Sequence, residues 1–310
     1  MPKIEHSDRF FLSSLASRRT FLKAGGAAAL AATGFATSAR ADASRPLVYA
    51  YANWSDVLGV TFVGIKLIED HFGYKVQPLQ ADVAVVYASL QSGKADVFSA
   101  GYLEGMGALK GEYRGGHADY VNKIADSIEA IGIGEGPLTQ GLAVPEYVDI
   151  DSIEDLNANA DKFSNSIIGI DPGSGLMQAA DKTVEAYDLK LKLVGGSEGA
   201  MGAAFQRAYS RQEWIVVATW TPLPMWSQFK MKYLKDPKKT MMQEEFNNFH
   251  LVRKDFKENF PKAYEFFKKF HVPNDDLALI MSEIDGGKTP QDAAAKWIDA
   301  NQDKVKEWIA

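Results

Sequence analysis

The 310-residue sequence contains no cysteine, which excludes disulfides, thiolate catalysis and cysteine-ligated metals in one step. Histidine is scarce: His6, His71, His117, His250 and His271 are scattered, and none has a partner at a metal-ligand spacing such as H-E-x-x-H. There is no G-x-S-x-G elbow and no G-x-x-x-x-G-K-S/T loop, so the common nucleophile and phosphate-cradle signatures are missing. Internal repeats and proline- or glycine-rich linkers are absent too. No apolar run reaches the ~20 residues of a spanning helix. No cofactor and no metal are expected.

What is present begins at the N-terminus. Ser17-Arg18-Arg19-Thr20-Phe21-Leu22-Lys23 leads into an apolar stretch from Ala24 to Ala36 and then Ala39-Arg40-Ala41, a small-x-small cleavage site. This order reads as a twin-arginine signal peptide over residues 1–41, and implies a periplasmic protein exported by that route. The segment holds six Lys or Arg and two Asp or Glu, leaving 28 basic and 38 acidic residues, a mature net charge of −10. An acidic chain without a basic cluster argues against nucleic acid and against an anionic membrane surface.

The mature chain alternates strands with helices, the mark of an α/β fold. Leu47 to Tyr51 reads as a strand. Leu58, Thr61, Phe62, Ile65, Ile68 and Phe72 then recur at helical spacing, with Gly73 at the cap. Further strands are expected at 75–78, 96–100, 121–125, 138–144, 166–170, 191–194 and 215–219, with helices at 83–90, 175–187 and 198–210. From Asp255 onward the pattern is helical, with Phe256, Phe260, Tyr264, Phe267 and Phe270 on one stripe. Two lobes joined by crossing strands account for the missing linker: residues 46–142 with 222–310 as one, residues 143–221 as the other.

Three large rings are expected just past strand ends, Trp54, Tyr102 and Trp220. Ligands of open α/β sheets bind at that edge, so the rings can converge on one cleft. Ring faces attract a cation that lacks N–H donors, at ~0.5–2 kcal/mol each when desolvated. Trp226 either extends this box or packs on the helix after Pro224; Trp214, Trp297 and Trp308 are assigned to the core. The loop Gly169-Ile170-Asp171-Pro172-Gly173-Ser174-Gly175 stops short of a dinucleotide fingerprint. It offers either an ordinary capped turn or a helix N-terminus whose N–H groups and Ser174 hydroxyl meet a polar ligand group. Asp56, Glu104 and Glu135 are the carboxylates near these points, each either a solvated loop charge or a partner for a cation or ligand oxygen.

Six strings in order, among them Trp54-Ser55-Asp56, Leu90-Gln91-Ser92-Gly93-Lys94-Ala95-Asp96-Val97-Phe98, Gln140-Gly141-Leu142-Ala143-Val144-Pro145, Ile168-Gly169-Ile170-Asp171-Pro172-Gly173-Ser174-Gly175, Trp220-Thr221-Pro222 and Tyr233-Leu234-Lys235-Asp236-Pro237, resemble the glycine betaine, proline betaine and choline group of substrate-binding proteins of ABC importers. The resemblance covers essentially the whole mature chain. It implies a two-lobed type II periplasmic binding protein fold that closes on its ligand, and an aromatic box around a methylated ammonium. Trp54 matches the first wall, with Asp56 beside it as in choline-type members; Tyr102 stands where Trp is common, and Trp220 matches a further wall. Gly173 and Ser174 occupy the loop that supplies polar contacts. Betaine binders often continue Trp-x-Pro with His, whereas Leu223 follows Pro222 here. Choline, trimethylamine N-oxide, carnitine or another methylated amine therefore stand open beside glycine betaine, with Glu135 as a candidate partner for a ligand hydroxyl or N-oxide.

The expected partners are a small methylated-amine ligand and ABC permease subunits, with the chain itself a monomer. Two other classes stay in view: an exported enzyme using Asp56, Glu104 or Glu135 as acid or base, and a type II binding protein for an unrelated solute, which would need an Arg near the cleft.

Overall fold

The computed structural model describes residues 45–104, 115–241 and 246–310; the expected signal peptide lies outside them. The chain starts with the strand β1 (Leu47–Tyr51) and the helix α1 (Ser55–Phe72), whose left-handed Gly73 cap has φ 74°. Of the stripe that predicted this helix, Thr61, Phe62, Ile65 and Ile68 are buried and Leu58 and Phe72 half-buried; Val57, Val60, Val63 and Leu67 are buried as well, so the helix is covered on more than the expected face. Next come β2 (Val76–Gln80), α2 (Val83–Ser92) and β3 (Val97–Leu103). β2 and β3 flank β1 in parallel. Asp96 staples this layer, accepting from Arg45 at 2.7 and 2.9 Å and from the Val48 N–H at 2.8 Å.

The strand expected at 121–125 is instead a helix, α3 (Ala118–Ile124). Only Val121 and Ile124 of it are buried, a helical i, i+3 pair too short to tell from a strand by pattern. The following strand, β4 (Ile128–Pro145), is 18 residues long and organises the molecule. Its Ile128–Leu138 portion pairs antiparallel with β9 (Phe246–Arg253), which also pairs antiparallel with β3. From Thr139 onward β4 pairs with other strands: β5 (Ser166–Ile168), β6 (Lys192–Val194), β7 (Val217–Thr221) and β8 (Met231–Tyr233) form a second half of the sheet in which β7 and β8 are antiparallel to β4. The sheet order is β2-β1-β3-β9-β4-β7-β5-β6.

Two helices cover the second half, α4 (Gly175–Ala186) and α5 (Glu198–Ser210), each started by a serine that accepts from a first-turn N–H: Ser174 from Met177 and Ser197 from Ala200, both at 3.2 Å. After β7 and α6 (Pro224–Gln228) the chain stays with this half: Leu234 donates its N–H to Leu142 O at 2.8 Å, and Asp236 accepts from Tyr187 Oη at 2.6 Å. The chain thus stays with the second half through residue 241. The helices α7 (Phe256–Asn259), α8 (Pro261–Phe267), α9 (Asn274–Asp285), α10 (Pro290–Ala300) and α11 (Gln302–Ile309) then close the first half. Phe256, Phe260, Phe266, Phe267, Phe270, Trp297 and Trp308 pack there against α1 as one apolar cluster. Among the described residues, no helix is long and apolar enough to cross a membrane.

Candidate functional site

Between the halves lies a cavity of about 350 Å³, counting its open mouth. The first half contributes Trp54, immediately before α1, Tyr102 from β3, His117, immediately before α3, and Phe246 from β9; the second contributes Gln140 and Trp220 with the 170–176 loop. Trp54 and Tyr102 stand 6.0 Å apart at 50°, Trp54 and His117 6.1 Å apart at 39°, and Tyr102 and His117 5.0 Å apart at 81°. Phe246 meets Tyr102 edge-on at 6.0 Å. Gln140 and Trp220 are register partners on β4 and β7, so one rung of the sheet presents both.

The indole and phenol donors of these rings are committed to carboxylates of the protein. Trp54 Nε1 donates to Asp171 Oδ2 at 2.9 Å. Tyr102 Oη and Trp220 Nε1 both donate to Asp56 Oδ2, at 2.8 and 3.0 Å. His117 Nδ1 meets the Ala100 carbonyl at 2.8 Å, which requires its proton there. Burial then holds His117 neutral, its pKa pushed down to about 4.

Asp56 is buried at the start of α1, and its Oδ1 also accepts the Val57 N–H at 2.8 Å. Behind it Tyr102, Asn248 and Glu135 stand side by side across β3, β9 and β4. Glu135 Oε1 accepts from Asn248 Nδ2 at 2.8 Å, while Oε2 makes no hydrogen bond of good geometry. Burial, then the Asp56 charge, raises the Glu135 carboxyl well above the usual range. Burial raises Asp56 as well, opposed by the donors from Tyr102, Val57 and Trp220. With more donors converging on it, Asp56 is the ionised member of the pair and Glu135 the protonated one.

Contacts between the halves close the mouth. Besides Trp54 and Asp171, the Ser55 N–H and hydroxyl donate to Glu198 at 2.9 and 2.6 Å, which satisfies an orphan donor of the α1 N-terminus with a carboxylate. Tyr120 Oη donates to Gly173 O at 2.8 Å. A Cβ on Gly175 would lie 2.2 Å from Gly116 O, so this backbone approach requires glycine.

Residues 45–300 match the family described as the substrate-binding domain of ABC-type glycine betaine transport systems. The chain belongs to this family. Among relatives of the glycine betaine transport family, the glycine betaine/carnitine transport binding protein GbuC of Listeria monocytogenes is 37% identical over 152 residues, 48% of this chain. The match spans 50% of GbuC's length. The crystal structure of lactococcal OpuAC, closed and complexed with glycine betaine, aligns with a TM-score of 0.77 at 32% identity, covering 86% of this chain and all of that one. ProX of Borrelia burgdorferi, a glycine/betaine/L-proline-binding protein, aligns with a TM-score of 0.78 at 26% identity, covering 86% of this chain and 97% of that one. These likenesses carry the two-lobed type II periplasmic binding protein fold expected from the sequence.

Of the residues singled out in the sequence, Trp54, Tyr102, Ser174 and Trp220 line the cavity. Tyr102 and Trp220 lie within strands rather than past their ends. Asp56 and Glu135 sit behind the rings, outside the lining. Gly173 does not reach the cavity, because its carbonyl turns toward Tyr120 and Gln178. Trp226 does not extend the box: its Nε1 donates to Trp220 O at 2.8 Å and its ring packs on Tyr233 at 4.4 Å. Glu104 is exposed at the end of β3 and outside the site. Leu223, where betaine binders often have His, lines a neighbouring recess with Ser55 and Glu198. His117, Gln140 and Phe246 were missed. A lone histidine and an isolated phenylalanine before the polar pair Asn247-Asn248 carry no motif, and no local pattern could have found them.

Proposed function

We propose that this protein captures a small quaternary or N-methylated amine between its lobes and presents the closed form to the permease of an ABC importer. One observation carries the reading: a small cavity walled by Trp54, Tyr102, His117 and Trp220, in which the indole and phenol donors of Trp54, Tyr102 and Trp220 and the Nδ1 of His117 are hydrogen-bonded to the protein, while His117 Nε2 and Gln140 Nε2 are buried without a protein partner. A ligand without N–H donors leaves none of its own groups unpaired against such walls, and a permanent cation gains from the ring quadrupoles. GbuC and OpuAC, whose names and bound ligand are glycine betaine or carnitine, support the same class.

The lobe division we adopt is 46–138 with 246–310 for the first lobe and 139–241 for the second, following the partner change of β4. Export by the twin-arginine route rests on Arg18-Arg19 and Ala39-Arg40-Ala41, and places capture in the periplasm, by a monomer. Catalysis is not part of the reading: Asp56 and Glu135 lie behind the rings and Glu104 is remote.

The test is a thermal-shift series with choline, glycine betaine, carnitine and trimethylamine N-oxide. A ligand at 100 times its Kd stabilises by about 2.7 kcal/mol, so at least one should raise Tm by several degrees. No shift from any of them would overturn the ligand class; turnover of a bound amine would revive the enzyme reading.

A further inference from the structure

The cavity rings that carry an indole or phenol donor are Trp54, Tyr102 and Trp220, and each gives that donor to a carboxylate. A carbonyl or water would serve equally well to hold a ring in place. Two carboxylates do it instead, and one of them, Asp56, takes two rings on a single oxygen while lying outside the cavity lining. A donor hydrogen-bonded to an anion is polarised, and electron density moves from the N–H or O–H into the attached ring. The negative potential of the face rises accordingly, and with it the attraction for a cation.

Resting on the proposed function, we propose that Asp56, supported by Asp171, is a positioning residue that sets selectivity for positive charge by acting through the rings, without touching the ligand. Its neighbours suit that role. Glu135 and Asn248 close the site from behind, so one negative charge, not two, is held beneath the box. The low-dielectric surroundings leave that charge poorly screened from the cavity. This differs from a carboxylate that grips a ligand hydroxyl: the two Asp56 oxygens are occupied by Val57, Tyr102 and Trp220.

The experiment compares each methylated amine that binds with its carbon isostere, choline with 3,3-dimethylbutan-1-ol and glycine betaine with 3,3-dimethylbutanoate, in wild type, Asp56→Asn and Asp171→Asn. Shape is the same within each pair and only the charge differs, so a merely structural defect weakens both members equally. The expected result is a fall of roughly tenfold in the cation-to-isostere affinity ratio for Asp56→Asn, comparable to losing one ring's attraction, and a smaller fall for Asp171→Asn. If Asp56→Asn fails to fold, the Asp171→Asn ratio decides by itself. An unchanged ratio overturns this inference and leaves the functional reading standing. Failure of the wild type to bind any methylated amine overturns the functional reading and this inference with it.

Discussion

The protein contains two aromatic clusters built from different chemistry. The one beneath the C-terminal helices is mainly phenylalanine: Phe266 stacks on Phe270 at 4.8 Å, Phe270 meets Trp308 edge-on at 5.2 Å, and Trp308 stacks on Trp297 at 5.8 Å. Its rings pack on one another and on aliphatic side chains such as Leu47, Val60, Leu67 and Ile280, leaving no open face. The cleft cluster uses Trp, Tyr and His, whose polar edges are anchored to carboxylates and a carbonyl. Anchoring by the edge lets a ring keep its orientation without a neighbour packed on each face. The difference separates a cluster that stabilises from one that recognises.

The sharpest break of that contrast is Phe267→Ala. Its ring is fully buried between Tyr49 and Phe256, and the cavity left should cost ~3–5 kcal/mol of stability. Chemical denaturation should show this loss, with ligand affinity unchanged in the molecules that stay folded. Next in size is Gly175→Ala, which forces a methyl against Gly116 O across the cleft. An overpacking strain of ~1–3 kcal/mol, or roughly 5- to 150-fold, should appear in ligand affinity, with a nearly unchanged Tm of the ligand-free protein. Equal damage to Tm would contradict closure as the affected step. Trp220→Ala should weaken binding by roughly 2- to 30-fold, one ring's cation attraction; titration of the folded variant measures it.

A smaller effect comes from Glu198, which faces Ser55, Asp56 and Asp285. Burial, then the Asp56 charge, raises its carboxyl to about 7 in the closed molecule. An acid whose pKa is raised on burial favours the closed form at low pH, and that contribution is lost as pH climbs through about 7. Affinity should therefore strengthen about threefold to tenfold from pH 8 to pH 6, at most tenfold per pH unit, and Glu198→Gln should flatten the profile. A variant profile as steep as the wild type's would assign the effect elsewhere.

Much of this was legible in the sequence, for local reasons. The helix α1 carried its own spacing and glycine cap, and α4 and α5 their serine caps. The strand β9 was not legible, because Asn247, Asn248 and His250 interrupt its apolar pattern although Asn248 and His250 are buried. Asn248 Nδ2 donates to Glu135, and His250 is held between Ser99 and the Phe270 carbonyl, partners far away in sequence. The same limit separates Trp54 and Trp220, which strand ends pointed to, from His117, which becomes a wall only because Ala100 O holds its ring. Trp226 shows the converse: its position looked like a box wall, but its indole N–H is spent on Trp220 O.

The most direct test of ligand capture by the cleft rings is calorimetric titration of the wild type and Trp220→Ala with choline, glycine betaine, carnitine and trimethylamine N-oxide. Binding of at least one by the wild type, weakened in the variant, is the predicted result. Binding of none, or binding of equal strength in the two proteins, would contradict it.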